Sequence, residues 1–384
     1  MGAPSIDISF IEKAASVSTR GERGIVMLWV KDAMPALAAN PITIVTENDI
    51  PEWLSDMTVE QVRLAMLGYE NAPKKVLVYC MGIAEDADEA AVGSGYESVM
   101  EASETIKFDY LAIPTVETDG KCKDVAAWIK SMRTKKKIKA VFPNTAADSE
   151  GIINFTTEKS IKTETVAAED GTKATADIIY TAEQYCARIA GLIAGTPLSI
   201  SCTYAPLPEL SDCTRLTDID TPVDNGELII FYDGEKVKVA RGVNSFISKD
   251  DDSKGNSFRK IKIVEAMDMI NDDIVKTAQD SYLGKYANTY SNKCLLLTAI
   301  SSYFAQLKRD DIVSSYSVAL AAEAIRNYLK SEGLQAALDN GEVKNVDDCS
   351  DEEIITADTG ANVFLTGKAK ILDAIEDIKM PIYI

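Results

Sequence analysis

The sequence predicts an α/β fold with a largely parallel sheet, followed by an α+β region, and it predicts an extended β-strand arm at each end. Three observations lead to this expectation. Short apolar runs alternate with helical patterns in the first part of the chain, and helical patterns dominate later. The two ends alternate apolar and polar residues. A chain of 384 residues also exceeds one ordinary compact core, so two domains or one domain with an insertion are expected.

Strand and helix patterns alternate from Gly24 onward. The apolar runs suited to buried strands are Ile25 to Val30, Ile42 to Val45, Val76 to Tyr79, Tyr110 to Pro114 and Ile138 to Phe142. The stretches between them that have helical spacing are Thr58 to Leu67, Tyr96 to Ile106 and Lys123 to Met132. Repeated strand–helix–strand units favour a parallel sheet with helices on both faces.

The middle of the chain contains four further signals. Thr156 to Thr175 is rich in Thr, Lys and Glu, which predicts a solvated excursion. Thr181 to Gly195 has apolar residues at helical spacing and a glycine at its end, which predicts a helix. Asp233-Gly234 lies between two strand-like runs and predicts a β-hairpin. The polar segment Ser248 to Gly255 is the predicted main boundary.

The last third predicts helices followed by short strands. The helical patterns cover Phe258 to Tyr282, Asn292 to Leu307 and Ser315 to Lys330. Strand character returns near the end in two short runs on either side of a turn near Gly367. The residues of these two runs are Val363, Phe364, Leu365, Lys370, Ile371 and Leu372.

Both ends of the chain have an apolar face with strand spacing. The apolar positions are Ile6, Ile8 and Phe10 at one end and Ile378, Met380, Ile382 and Ile384 at the other. An unpaired apolar strand exposes backbone donors and acceptors that can pair with another chain. We therefore expect these residues to contact neighbouring copies by strand donation, with a polar or charged hinge before each strand. The alternative is that both ends pair within their own subunit.

The composition lowers the expectation of an enzyme. The chain has no histidine, which excludes Ser-His-Asp and Cys-His mechanisms and the His-based zinc hydrolases. Its seven cysteines are scattered, with no CxxC pair, so we expect them to be reduced and to pack as small hydrophobic residues. We found no constellation of nucleophile, base and orienting group. No catalytic residue, cofactor-binding residue or metal ligand is predicted, and carboxylate, Lys or Tyr chemistry stays possible.

The formal net charge of −20 bears on partners and location. It disfavours nucleic acid and anionic membranes as partners. The one dense basic run, Arg133 to Lys139, is expected to be a solvated loop or a patch that meets acidic residues of a neighbour, such as Asp347 to Glu353. The sequence has neither a run of eighteen apolar residues nor a secretory signal pattern, so synthesis and folding in the cytoplasm are expected.

Several blocks of this sequence resemble the short tail sheath proteins of contractile phages and phage-derived bacteriocins. The blocks are Gly242 to Ser245, Lys260 to Ile270, Asp272 to Ile274, Tyr282 to Tyr286, Ala190 to Leu198, Ile371 to Ile378 and Ile382 to Ile384. These are packing and hinge motifs, so their specificity lies in their combination and order. The resemblance covers essentially the full length and is weakest over Asn154 to Thr175.

The resemblance implies a subtilisin-like α/β domain without protease chemistry and a C-terminal domain that faces an inner tail tube. It implies an N-terminal arm over 1–22, the α/β domain over 23–246 with a variable insertion near 150–176, the sheath domain over 247–376 and a C-terminal arm over 377–384. The arms of neighbouring subunits would add to a hairpin, for which Val363 to Leu365 and Lys370 to Leu372 are the candidate acceptor.

The resemblance also implies the function and the partners. The subunits would form a helical homopolymer on the inner tail tube, contact baseplate and tail terminator proteins, and contract to drive the tube through a target envelope. The polymer would assemble in the cytoplasm of the producing bacterium and end in the released tail. Two alternatives stay open: a doubly wound α/β enzyme that uses carboxylate or Lys chemistry, and another self-assembling shell protein.

Overall fold

The computed structural model describes residues 23–84, 86–167, 173–248 and 254–382. Its strands, β1 to β16 in chain order, are Ile25–Val30, Ile42–Ile44, Lys75–Cys80, Tyr110–Ala112, Lys139–Pro143, Ile152–Phe155, Lys159–Ala167, Lys173–Thr181, Asp212–Cys213, Glu227–Leu228, Ile230–Tyr232, Val237–Val239, Val313–Leu320, Ala336–Ala337, Val343–Lys344 and Leu365–Ile371. Its helices, α1 to α9, are Asp56–Met66, Glu89–Ser103, Cys122–Met132, Ala182–Ala194, Asp220–Asp224, Ile261–Thr277, Tyr290–Arg309, Ala322–Ser331 and Asp351–Ile354. Short 3₁₀ turns cover Glu47–Asp49, Asn256–Arg259 and Val346–Asp348, and a π-helical turn covers Ala278–Tyr282.

The described residues divide into two compact units. One unit contains residues 23–268 and 373–382, and the other contains residues 269–372. The change of unit therefore falls inside α6, whereas the sequence placed the main boundary at the polar segment before that helix. We call these the α/β unit and the helical unit.

A seven-stranded sheet forms the centre of the α/β unit. The strand order is β10-β6-β5-β4-β1-β3-β2, and every neighbouring pair is parallel except β2 with β3. The α/β class and the parallel sheet predicted from the alternating patterns are therefore confirmed. β1 lies between β3 and β4, so the chain winds away from β1 in both directions.

Side-chain alternation along β1 explains how the two faces of this sheet are covered. Val26 and Leu28 belong to the core that contains α1 and α4, whereas Met27 and Trp29 belong to the core that contains α2 and α3. Successive side chains of a strand point to opposite faces, so an all-apolar strand requires cover on both. This is why Ile25–Val30 lacks a polar face.

Two smaller antiparallel ladders complete the sheets of the α/β unit. β11 and β12 form the hairpin predicted at Asp233-Gly234, where the Asp233 amide donates to the Lys236 carbonyl at 3.1 Å. β7 and β8 form a nine-residue ladder that β9 extends. The solvated excursion expected over Thr156 to Thr175 takes the form of this ladder, because Thr side chains favour the extended backbone and each strand supplies the hydrogen-bond partner of the other.

The helical unit corrects one of the predicted helices. Ser315 to Lys330 was predicted to be one helix, but β13 covers its first part and α8 begins at Ala322. The burial along β13 alternates between more and less exposed residues, which is a strand period rather than a helical one. The helix predicted over Asn292 to Leu307 is confirmed as α7.

Five of the seven cysteines pack in the interior, as the sequence predicted. All seven are free thiols, and five of them are buried. Burial raises the pKa of Cys80 to about 11 and that of Cys202 to about 12. These thiols therefore stay protonated at neutral pH and pack as small apolar groups.

Candidate functional site

The predicted arm residues are only partly within the described chain. Ile6, Ile8, Phe10 and Ile384 lie outside the described residues. At the other end, no strand is formed over 373–382, and Ile378, Met380 and Ile382 are 83, 74 and 73% exposed. Three large apolar side chains at alternate positions therefore lie on the surface of the α/β unit. Their predicted contact with neighbouring copies stays a prediction.

Glu376 fixes the start of this apolar segment to the α/β unit. Its side chain is only 6% exposed. The carboxylate accepts hydrogen bonds from Thr203 Oγ1 at 2.7 Å and from Ser201 Oγ at 3.3 Å. Lys260 Nζ donates to its second oxygen at 3.2 Å. Hydrogen bonds to a charged group are stronger than neutral ones, so this residue is a firm attachment point.

Two further carboxylates flank Glu376. Asp373 forms an ion pair with Lys260, and Asp377 forms one with Arg241 at 2.7 Å. Burial would lower the pKa of Lys260, but its bonds to Asp373 and Glu376 outweigh burial and raise that pKa. The ammonium therefore stays charged throughout the physiological range. We call Asp373, Glu376 and Asp377 with their partners Ser201, Thr203, Arg241 and Lys260 the C-terminal anchor.

The sequence predicts the apolar segment but not the anchor. The charged residues before this segment were expected to form a hinge, whereas Glu376 and Asp377 are ion-paired. Lys260 and Glu376 both lie in blocks that carried the resemblance, yet they are separated by 116 positions. Without a known fold, spacing along the chain does not show that such distant charges meet.

The acceptor hairpin predicted around Gly367 does not form. Leu365 to Ile371 is a single strand, β16, which pairs antiparallel with β13, and Gly367 lies opposite Val318. The physical reason is that β13 offers a seven-pair register, whereas the predicted hairpin would join two short runs. Val363 and Phe364 precede the strand, and the Phe364 ring packs 5.2 Å from the ring of Tyr328. The role of these residues as acceptors stays a prediction.

The β13–β16 ladder is supported on one side and open along its edges. The Tyr316 ring stacks on that of Phe304 in α7, with centroids 5.6 Å apart. In β16, by contrast, the five central residues are exposed, including Lys368 and Lys370. Within the described residues this sheet has two strands, so each strand has a neighbour on one edge only. Within the part of the chain that the structure describes, the backbone groups on the other edges have no strand partner.

A buried charge network connects α6 to the sheet of the α/β unit. Lys139, 1% exposed, contacts Glu265 at 2.6 Å and Asp268 at 2.8 Å. Arg133 donates two hydrogen bonds to Asp268, at 3.1 and 3.0 Å, and Arg23 pairs with Glu265 at 3.2 Å. The expectation that the whole basic run is a solvated loop was wrong, because its first and last residues are buried by these carboxylates.

The network is suited to holding α6 rather than to catalysis. Burial would raise the pKa of Glu265 and Asp268, but Lys139 together with Arg23 or Arg133 outweighs burial and holds both pKa values below their usual range. Each carboxylate therefore stays ionised and paired. A general acid or base needs a pKa near the working pH, and these groups are shifted away from it.

The described residues contain neither a cluster of metal ligands nor a membrane-spanning helix. In residues 23–84, 86–167, 173–248 and 254–382, no three His, Cys, Asp or Glu side chains gather in a way that could hold a metal ion. Among the same residues, no helix combines the length and the apolar character needed to cross a bilayer.

Comparison with known proteins gives consistent matches along the chain. The family described as phage tail sheath protein central domain matches residues 89–245, and the one described as phage tail sheath C-terminal domain matches residues 253–338. The tail sheath protein of Clostridium phage phiCD119 is 33% identical over 384 residues, which cover 99% of this chain and 98% of that protein.

Solved structures show the same fold at lower identity. The sheath tail protein from Desulfitobacterium hafniense superposes with a TM-score of 0.64 at 19% identity, covering 96% of this chain and all of that one. The contracted helical sheath of the anti-feeding prophage superposes with a TM-score of 0.65 at 15% identity, covering 100% of this chain and 99% of that one. At these identities the likeness concerns the fold alone.

Proposed function

This chain belongs to the phage tail sheath protein family, and from that premise we propose that it polymerises helically around an inner tail tube and contracts to drive the tube through a target cell envelope. The full-length likeness to a phage tail sheath protein carries this proposal. The fold shared with a subunit of a contracted helical sheath supports the polymer. The role is structural, and the free energy for contraction would be stored when the subunits assemble, without a nucleotide.

We propose that donated terminal strands link the subunits. The alternation of Ile378, Met380 and Ile382, all strongly exposed, supports this role. Burial of three such side chains in a neighbour contributes about 1.5–3 kcal/mol each, and each backbone hydrogen bond adds about 0.5–1.5 kcal/mol. The corrected acceptor is the β13–β16 ladder of a neighbouring copy, whose free edges can add a strand. The residues Ile6, Ile8, Phe10 and Ile384 would take part in the same way.

The C-terminal anchor gives these links a defined origin. Its ion pairs tie the start of the apolar segment to the α/β unit of the same chain. The donated segment would therefore leave the subunit from a fixed point, and flexibility would begin after Asp377. Subunits joined in this way could change their distance from one another while the strand links between them persist.

Fold details and further partners belong to the same proposal. The parallel sheet with helices on both faces supports a subtilisin-like α/β domain within 23–246. The bounds of the arms and of the sheath domain stay predictions. A baseplate of the anti-feeding prophage contains a chain of the same fold, which supports contact with a baseplate. The inner tail tube and a tail terminator would be the other partners. Assembly would take place in the cytoplasm of the producing bacterium.

Truncation combined with electron microscopy tests the proposal. We expect the full chain to form long hollow cylinders in negative stain. Deletion of residues 1–9 or of residues 379–384 should leave folded, soluble subunits that form no cylinders. Cylinders that persist without both arms would contradict strand donation, and closed polyhedra from the full chain would support another kind of shell.

A further inference from the structure

Tyr204 occupies a backbone position that glycine adopts more easily. Its φ angle is +60°, in the left-handed region, and its side chain is 58% exposed. In the part of the chain that the structure describes, the other non-glycine residues with positive φ are Asn144, Asp148 and Asp311. Asn and Asp tolerate this region because their short side chains bond to the nearby backbone, whereas a bulky residue is strained there. Such strain persists only where the surrounding structure holds it.

The strained residue is the third residue of a tight turn. The Ala205 amide donates to the Cys202 carbonyl at 3.1 Å, which closes a β-turn with Thr203 and Tyr204 at its centre. Since φ is positive at Tyr204 and not at Thr203, the turn is of type II. A type I turn differs by a flip of the peptide between the two central residues. Relaxation of Tyr204 to a negative φ would therefore turn this peptide over.

Contacts of the Tyr204 backbone and ring hold the turn in its type II form. The Tyr204 amide, which belongs to the central peptide, donates to the Val239 carbonyl of β12 at 2.9 Å. The Tyr204 ring meets that of Phe231 edge to face, with centroids 5.6 Å apart. Lys238 Nζ lies 5.7 Å from the centre of the Tyr204 ring. Both arrangements are attractive, so the ring offsets the strain of the backbone.

The same turn supplies the main hydroxyl of the C-terminal anchor. Thr203 Oγ1 donates to the Glu376 carboxylate at 2.7 Å. The same oxygen accepts from the Gly242 amide at 3.0 Å and from Ser201 Oγ at 2.9 Å. The hydroxyl therefore bridges the carboxylate and the backbone just beyond β12, and it can do so only while the turn lies against that strand.

A flipped peptide would push the turn away from β12. The Thr203 carbonyl, rather than the Tyr204 amide, would then face the Val239 carbonyl. Two carbonyl oxygens repel each other, and the Val239 oxygen would lose the donor that it has now. The Thr203 hydroxyl would move with the turn and leave Glu376.

We propose that Tyr204 is a positioning residue of the C-terminal anchor, which keeps the turn in its type II form so that Thr203 stays bonded to Glu376. It thereby fixes the point at which residues 378–382 leave the subunit. The use of those residues as a link between copies rests on the proposed function, whereas the positioning of Glu376 concerns the single subunit. A different residue at position 204 can preserve the turn only if it tolerates a positive φ.

Alanine and glycine at position 204 separate the backbone from the ring. Both remove the ring contacts, but only Tyr204→Ala keeps a Cβ in the left-handed region. Hydrogen exchange of the Gly242 amide, resolved by NMR on the unassembled full chain, reports whether Thr203 Oγ1 stays in place. We expect this exchange to be at least about fivefold faster in Tyr204→Ala than in the unmodified chain, and within about twofold of it in Tyr204→Gly.

Unfolding in urea gives a second measurement of the same difference. The fluorescence of the three tryptophans follows the α/β unit, because that unit contains Trp29, Trp53 and Trp128. Tyr204→Gly should have a higher urea midpoint than Tyr204→Ala. This is the reverse of the order found at negative φ, where glycine loses more backbone entropy on folding.

A double variant shows whether Tyr204 acts through Glu376. Tyr204→Ala should lower the urea midpoint less on a Glu376→Gln background than on the unmodified one, because the contact that it disturbs is already weakened. Tyr204→Phe keeps the ring and should match the unmodified chain. Tyr286→Ala, at an exposed tyrosine without positive φ, should leave Gly242 exchange unchanged.

Equal Gly242 exchange in Tyr204→Ala and Tyr204→Gly would overturn the proposal, because loss of the ring would then account for both. Additive effects of Tyr204→Ala and Glu376→Gln would overturn it as well. Phe231→Leu leaves Tyr204 in place and should also speed Gly242 exchange, which decides the matter if Tyr204→Ala does not fold. These measurements use single subunits, so a failure to form cylinders would count against the proposed function alone.

Discussion

Lys139 is almost completely buried, and its ammonium is an ion-pair partner of two carboxylates of α6. Its ammonium lies within 2.8 Å of both Glu265 and Asp268. Replacement by methionine keeps most of the apolar stem but leaves two buried carboxylates with fewer cations. Breaking a buried ion pair on one side costs about 3–5 kcal/mol. We expect Lys139→Met to lower the free energy of unfolding by that amount, measured by urea denaturation.

The control for Lys139 is an ion pair at the surface. Lys330 pairs with Asp347, and their side chains are 48 and 71% exposed. Exposed pairs contribute about 0–1 kcal/mol, so Lys330→Met should change the unfolding free energy very little. Equal effects of the two substitutions would contradict the structural role given to the network.

The same network predicts how acid affects stability. Asp268 has a folded-state pKa below its usual value of 3.8, because Lys139 and Arg133 outweigh the effect of burial. A carboxyl group with a lowered pKa stabilises the fold above its unfolded pKa, and this contribution is lost as the pH falls through the folded value. The free energy of unfolding should therefore fall steeply below about pH 4.

An Asp268→Asn variant tests this pH dependence. It should be less stable at pH 6 and lose less stability between pH 5 and pH 3 than the unmodified chain, in urea titrations at each pH. Asp109 acts in the opposite direction, because burial raises its pKa, so its contribution grows on acidification. If the stability of Asp268→Asn and that of the unmodified chain fell equally between pH 5 and pH 3, the pH dependence could not be assigned to Asp268.

Glu376 is the residue on which the C-terminal anchor depends. Glu376→Gln removes the charge that Lys260 and Thr203 contact while keeping the side chain's size. We expect the amides of residues 374–377 to exchange hydrogen at least about tenfold faster, since a charge-assisted bond contributes about 1.5–3 kcal/mol. Mass spectrometry of exchanged peptides measures this. Glu97→Gln, on the exposed side of α2, is the control and should leave exchange in these peptides unchanged.

At the scale of elements, the sequence predicted correctly those helices and strands whose pattern of apolar residues is visible within the element itself. β1 and β3 were recognisable because each is a short apolar run, and α7 because its apolar residues keep a helical period. β13 was mistaken for helix, since Val318 and Ala321 also fit a helical spacing. The partner that decides the matter is β16, and it lies about fifty positions further on.

The exposed C-terminal segment allows a prediction that separates folding from assembly. The triple substitution Ile378→Ser, Met380→Ser and Ile382→Ser should change the free energy of unfolding by less than about 0.5 kcal/mol, because exposed side chains lose little on replacement. It should nevertheless abolish cylinders in negative stain. Leu37→Ser, at a position that is fully exposed, is the matched control and should assemble normally. If the triple variant formed normal cylinders, this segment would not be part of the links between subunits.

At the scale of the whole molecule, charge opposes association. The chain has 60 acidic and 40 basic residues, so identical copies repel one another. The sequence analysis expected the basic run to offset this repulsion. In the structure the amines of Lys136 and Lys137 contact backbone carbonyls of the same chain. Lys135 is exposed, so it is the lysine of this run that we select to test for contact with acidic residues of a neighbouring copy.

Lys135→Glu should weaken assembly mainly at low ionic strength. Salt screens exposed charges over about 8–10 Å near physiological concentrations and more strongly above them. We expect light scattering to show slower polymer growth than for the unmodified chain in dilute buffer, and equal growth at high salt. A difference that does not vary with salt would mean that Lys135 acts through something other than long-range charge.

Lys368 and Lys370 on β16 have a consequence for cells that make this protein in large amounts. An open strand edge is a template for amyloid-like stacking, and cations along such an edge act as gatekeepers against it. The two ammonium groups would repel a second copy of β16, whereas the predicted N-terminal strand, with Asp7 between Ile6 and Ile8, would bring a carboxylate that they attract. The edge could thereby stay free for the donated strand of a neighbouring subunit, while newly made subunits are kept from stacking into fibrils.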